Sequence, residues 1–365
     1  MSNFGCTLRR EEQAVFALRG LYEGYGYAPY RMSKFEEYDL YVRNKEFLIS
    51  DGVITFTDTD GKLMALKPDV TLSIIKNSRD EDGCVQKVYY NENVYRVSED
   101  AHCFKEILQT GLECMGDIDD GCVYEVLRLA AESLRRIAPK AVLDVSHLGV
   151  VDRLLEGLSA EGRGKICHCI GEKNAHELKA VCAEYGVTDT VAEKLQKLVG
   201  LYGTPDKVIP VLKALVGNTE AVATLEKLTS AMVAGGYGDI LRIDFSVVDE
   251  GSYYNGIVFR GFAEGVPDSV LSGGQYDRLM RQMGRRGGAV GFAVYLDRLG
   301  RMTEAAKAFD VDTLLLYHEG CDLMALQAAA DALRAEGSVM LQKEIPSKLT
   351  YRQVCRFENG EVKPL

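Results

Sequence analysis

Apolar residues recur at helical spacing in the stretch RREEQAVFALRGLYEGY (9–25). Val15, Leu18, Leu21 and Tyr22 share one face with charge opposite, which predicts an amphipathic helix ended by Gly24 and Gly26. VITFTDT and KLMALKP then alternate as strands around Asp60-Gly61, a two-residue hairpin signal. The next helix is expected to begin near Asp69 or Thr71, both good N-cap types. KVYYNENVYRVSED reads as a β-branched and aromatic strand running into a polar loop, and CFKEILQTGLECMGDI as its returning partner. A helix over YEVLRLAAESLRRIA and a short strand over AVLDVSHLG follow. Antiparallel strands with helices outside them predict an α+β fold rather than a doubly wound sheet.

Residues 150–238 change character. Leu and Val recur at i, i+3 and i+4 between Gly turns, which predicts a helical insertion. Strand character returns in ILRIDFSVVDEGSYYNGIVFRGFAEG and in Leu271–Arg301. That second stretch holds Gly273-Gly274, the pair Tyr276-Asp277, a basic loop around Arg285-Arg286, and an apolar run leading into a helix that carries Arg298. From about Asp310 the pattern gives a strand, a helix and a further strand. The expected organisation is a domain over 1–305 with the insertion at 150–238 inside it. A truncated α/β segment over 306–365 follows.

Composition narrows the function. In 365 residues, 47% are hydrophobic and 27% charged, an ordinary globular balance. No apolar run approaches the ~20 residues that span a bilayer, and the N-terminal stretch has no secretory h-region, so no membrane role is expected. Ten scattered cysteines then read as reduced thiols, and the expected location is cytoplasmic. A net charge of −11 disfavours a protein whose main task is gripping a phosphate backbone. Cys167-His168-Cys169 lacks a second pair at zinc spacing, so no metal site is expected.

Several residues have two readings. Asp69 fits a helix cap as well as a ligand contact, and Gln109 and Glu113, alternating with Leu108 and Leu112, fit the solvated face of a strand. Tyr254 and Tyr276 fit core aromatics, and Arg285-Arg286 fits a solvated loop better than a phosphate site.

Five segments in fixed order add a resemblance. LKPDVT, NVYRVSED with FKEILQTGLECMG, SYYNGIVF, SGGQYDRL and AVGFAVYLDRL resemble the motifs of histidyl-tRNA synthetase, a class II synthetase family, across about residues 9–302. The resemblance implies a class II synthetase-like antiparallel sheet flanked by helices, with self-association as a dimer. It implies a histidine pocket formed by Asp69, Thr71, Gln109, Glu113, Tyr254 and Tyr276. The chemistry is apt: a cationic ammonium takes carboxylates, imidazole N–H groups take acceptors, and a flat ring takes aromatic walls. Arg96 and Arg298 match the family's nucleotide contacts and remain as a residual phosphate contact.

The departures matter as much. Counting back from Tyr253-Tyr254, the family's Arg becomes Asp249. The loop VSEDAHCFKE lacks the ATP-clamping Lys-Gly-Arg, and Gln275 stands where the family has Arg. Adenylation is driven mainly by positive charge on phosphates, so these losses count against charging tRNA. The chain thereby resembles the synthetase's paralogous family, the ATP phosphoribosyltransferase regulatory subunits. That resemblance implies no catalytic residues, no cofactor and no tRNA. The partner it implies is the short-form ATP phosphoribosyltransferase catalytic subunit at the first step of histidine biosynthesis, with L-histidine as the feedback ligand. The alternative is a divergent, active histidyl-tRNA synthetase.

Overall fold

The structure, a computed structural model, describes residues 8–48, 52–98, 103–248, 253–300 and 309–365. The chain divides into two compact units, Met1–Met302 and Thr303–Leu365.

The first unit is built on a nine-stranded sheet. Its longest pair is the hairpin of Val85–Ser98 with Cys103–Gly116, in register from Val85 opposite Gly116 to Ser98 opposite Cys103. Against Cys103–Gly116 lie, in order and each antiparallel to the last, Gly288–Tyr295, Leu271–Gln275, Ile257–Ala263 and Ala141–His147. Leu241–Asp244 then pairs parallel to Ala141–His147, and Ala28–Pro29 pairs parallel to Val85–Ser98 at the far edge. The sheet is therefore mainly antiparallel with helices on its surface, an α+β arrangement.

Directly opposed residues share a face, so the register sorts the sheet's two sides. Leu112, Cys114, Val290, Phe292, Leu271 and Phe259 face the main core. There they meet the helices Arg10–Gly24 and Asp120–Ile137. The second helix shows why it forms: Asp119 accepts from Cys122 N at 2.9 Å as its N-cap. Val123, Val126, Leu127, Ala130, Leu134 and Ile137 then repeat at the spacing of one buried stripe. The opposite face carries Gln109, Gly111, Glu113, Gly291, Ala293, Ser272 and Gly274. A smaller core of Tyr41, Phe47, Val70, Leu72, Ile74, Tyr90 and Tyr276 lies on this side.

Phe35–Glu37, Leu63–Leu66 and Thr55–Thr57 make a separate three-stranded sheet. Its hairpin differs from the expected two-residue turn. The last pair is Thr57 with Leu63, because Asp58 Oδ1 accepts from Asp60 N at 2.9 Å and Lys62 N at 2.8 Å and so organises a wider loop. Gly61, at φ 78°, occupies the left-handed position within it.

The stretch expected to be helical contains Leu148–Leu154, Ala160–Gly171, Ala175–Glu184, Asp189–Val199, Pro205–Val216 and Glu220–Met232. Between the fourth and fifth of these, Tyr202–Gly203 pairs with Leu241–Asp244 and so joins the large sheet, which the periodicity did not indicate.

The second unit is a four-stranded sheet in the order Val339–Gln342, Val311–Leu316, Tyr351–Glu358, Glu361–Pro364, with the helix Leu323–Arg334. The first three strands are parallel. The strand, helix and strand expected from Asp310 onward are present. The closing hairpin is additional and turns at Asn359-Gly360, both with positive φ (52° and 85°).

Candidate functional site

One cavity of about 420 Å³ opens on the second face of the large sheet. It is lined by all six residues expected to meet a ligand, Asp69, Thr71, Gln109, Glu113, Tyr254 and Tyr276, and by Arg96 and Arg298. Four different elements and the loops beside them supply these side chains, which lie more than two hundred residues apart in sequence.

Glu113 is the centre of the site. Cys103–Gly116 begins exposed but is buried on both faces over its second half, so Gln109 (4% exposed) and Glu113 (2%) are interior polar groups rather than a solvated stripe. Thr71 Oγ1 donates to Glu113 Oε1 at 2.8 Å, and the Tyr276 hydroxyl donates to Oε2. Burial nevertheless dominates: loss of solvent pushes the Glu113 carboxyl up to about 8. The two hydroxyl donors pull the other way, and the neighbouring Asp69 charge adds to the rise. A carboxyl of this kind favours a cation that arrives with its own hydrogen bonds.

Asp69 does two things. Its Oδ1 accepts from Leu72 N at 2.9 Å, capping the first turn of Thr71–Asn77, and it lines the cavity as well. Burial raises its pKa, opposed by the Leu72 N–H and by the positive charge of Arg96. The cap and ligand readings of this residue are thus compatible in one geometry.

The floor is made flat by glycine. Glu113 stands opposite Gly291, which stands opposite Gly274. A Cβ at Gly291 would run into the Glu113 carboxylate, and one at Gly274 would come within 2.8 Å of the Tyr254 ring. Gly273 turns to the other side, where its Cβ would meet Phe292 and Phe259. The pair therefore serves the cavity through one glycine and the core through the other.

Aromatic walls complete the site. Tyr253 packs on Tyr254 at 4.7 Å between centroids and on Tyr276 at 5.7 Å, with Phe47 behind it at 6.4 Å. Tyr90, Tyr253, Tyr295 and Arg260 also line the cavity and were not anticipated as site residues. Tyr253 adjoins Tyr254, and Arg260 interrupts the apolar strand Ile257–Ala263; those were the available signals.

The two expected cations are both engaged by the protein. Arg96 Nε donates to Pro68 O at 3.0 Å. Arg298 donates to the backbone oxygen of Ser269 and lies over the Tyr295 ring at 4.4 Å. Asp249 and residues 99–102 of the loop after Arg96 lie outside the described residues.

Two motif residues, Gln275 and Asp277, turn out to be scaffold, and the loop residues Arg285 and Arg286 likewise have partners within the protein. Gln275 points away from the cavity and accepts from Ile257 N at 2.8 Å. The replacement of the family's Arg by Gln275 therefore acts outside the cavity. Asp277 Oδ1 accepts from Ala289 N at 2.9 Å and Oδ2 from Asn255 Nδ2 at 3.1 Å, tying together the strands around Tyr276. Arg286 pairs with Asp82 at 3.1 Å and Arg285 donates to Lys76 O at 2.8 Å, a surface loop with internal partners. Among the described residues no group of three or more His, Cys, Asp and Glu side chains is arranged to hold a metal, and no helix is long and apolar enough to cross a membrane.

Residues 6–299 match the family model described as histidyl-tRNA synthetase. The chain belongs to that family. A relative from Oceanobacillus iheyensis named ATP phosphoribosyltransferase regulatory subunit is 26% identical, over 96% of this chain and 89% of its own length. Among solved structures, one described as an ATP phosphoribosyltransferase regulatory subunit/histidyl-tRNA synthetase from Bacillus halodurans C matches with a TM-score of 0.75. It is 22% identical and covers 95% of this chain and 93% of that one. A chain of the ATP phosphoribosyl transferase (HisG:HisZ) complex from Thermotoga maritima matches with a TM-score of 0.61, at 18% identity over 77% and 96%. At these identities the two structures speak for the fold. It is the class II synthetase-like fold of the histidyl-tRNA synthetase family, and in it Glu113 and Asp69 occupy the cavity between the long hairpin and the Thr71–Asn77 helix.

Proposed function

We propose that this chain is a regulatory subunit of ATP phosphoribosyltransferase. It carries no catalytic residues, associates with the short-form catalytic subunit in the cytoplasm, and reports L-histidine through the Glu113 cavity. The observation that carries the ligand assignment is the buried Glu113 carboxyl, held by Thr71 and Tyr276 beside Asp69 within walls of tyrosine. Such a site suits a small cationic group attached to a flat ring. The regulatory assignment is supported by the name carried by the Oceanobacillus iheyensis relative, and the partner by the Thermotoga maritima complex. The non-catalytic character is supported by the motif departures, Asp249 where the family has Arg and a loop after Arg96 without Lys-Gly-Arg.

Regulation then follows from linkage. Histidine shifts the assembly toward whichever arrangement binds it more tightly, by its differential affinity and no more. Calorimetric titration with histidine and with ATP, on the chain alone and with the short catalytic subunit, tests this. Histidine binding strengthened or weakened by the partner is expected. Robust histidine-dependent pyrophosphate exchange by the isolated chain would instead favour an active synthetase, the reading that Arg96 and Arg298 support by lining the same cavity.

A further inference from the structure

The cavity has a second charged pole. Arg260 lies on Ile257–Ala263, paired with Ser272 on one side and Asp144 on the other. Ser272 is opposite Ala293 and Ala293 opposite Gly111, so Arg260 rises from the same face of the sheet as Glu113. Three strand spacings and a two-residue offset separate them, ~16 Å between backbones. Both side chains line the one cavity, and that separation leaves room between them for a compact zwitterion.

Arg260 is also placed to receive an anion. Among the described residues its hydrogen bond is to a neutral acceptor, Val248 O at 3.2 Å, while a guanidinium has five N–H donors. The adjacent Asp144 does not capture it: among the described residues Asp144 Oδ1 is buried without a hydrogen-bond partner, and Arg260 lines the cavity. The other two arginines of the cavity are less available, one near Asp69 and bonded to Pro68, the other stacked on Tyr295.

We propose that Arg260 holds the α-carboxylate of the amino-acid ligand and so selects an amino acid over the same side chain lacking that carboxylate. This rests on the reading of the cavity as a histidine site. Asp69 and Glu113 take the ammonium, and Arg260 completes recognition with a charge-assisted fork.

Calorimetry on the full chain with L-histidine, L-histidinol and histamine tests it. The wild type is expected to bind histidine at least about 10-fold more tightly than either analogue. Arg260→Gln should weaken histidine by about 30-fold and leave histidinol within about 2-fold, so that discrimination collapses; Arg260→Lys should retain an intermediate preference. Equal weakening of histidine and histidinol in Arg260→Gln, or no change in either, would overturn the role of Arg260 while leaving the histidine site standing. A wild-type chain that binds none of the three would overturn both. Loss of ATP binding in Arg260→Gln with histidine unaffected would assign the arginine to a phosphate instead and overturn the proposal.

Discussion

Glu113 puts a proton where a binding site needs a negative charge. The folded chain keeps that proton up to about pH 8, whereas an unfolded chain releases it near 4.5. Between those values unfolding releases a proton, so the contribution of Glu113 to stability is full below about 4.5 and is lost as pH rises toward 8. Glu113→Gln removes that slope, and urea unfolding of the two proteins across the pH range should show the variant losing less stability on going from pH 5 to 8. The same proton bears on the ligand. A cationic ammonium favours ionised Glu113, so histidine binding near pH 7 should release protons, visible as a dependence of the calorimetric heat on buffer ionisation enthalpy. Glu113→Ala should abolish histidine binding, and unchanged affinity would place the ligand elsewhere. Six of the residues lining this cavity were legible from motif order. Arg260 was not, because a single cation on a strand looks like a solvent-facing position until the register shows which face it shares.

Strands and helices set how tightly that chemistry is confined. The Gly274–Gly291–Glu113 row leaves the floor without side chains at its centre, and Gly291→Ala forces a methyl against the carboxylate. Loss of histidine affinity together with ~1–3 kcal/mol of stability is expected, read by titration and by denaturant unfolding. A Gly291→Ala protein with wild-type affinity would mean that the Glu113 side chain moves freely, contrary to its two hydroxyl partners. At this scale the sequence was readable where periodicity is long: the Val85–Ser98 and Cys103–Gly116 strands and the Asp120–Ile137 helix fall where alternation and helical spacing indicate. Short elements escaped. Tyr202–Gly203 is two residues long and owes its strand geometry to its neighbour, and the final hairpin is marked in the sequence only locally, by the Asn359-Gly360 turn. The Asp60-Gly61 turn lies where the pattern predicts it but in a loop wider than two residues, because side-chain capping by Asp58 cannot be seen in a hydrophobic pattern.

The whole molecule combines a histidyl-tRNA synthetase family unit with a small, mainly parallel α/β unit. The class II synthetase-like fold was legible because the motifs occur in order across most of the chain. The regulatory reading came from departures within the same motifs. One of these changes meaning in three dimensions, since Gln275 braces Ile257 outside the cavity. The most direct measurement is the rate of ATP phosphoribosyl transfer by the short catalytic subunit, with and without this chain and with added histidine. A rate that rises when the chain is added and falls again with histidine is expected. A rate indifferent to the chain would contradict it.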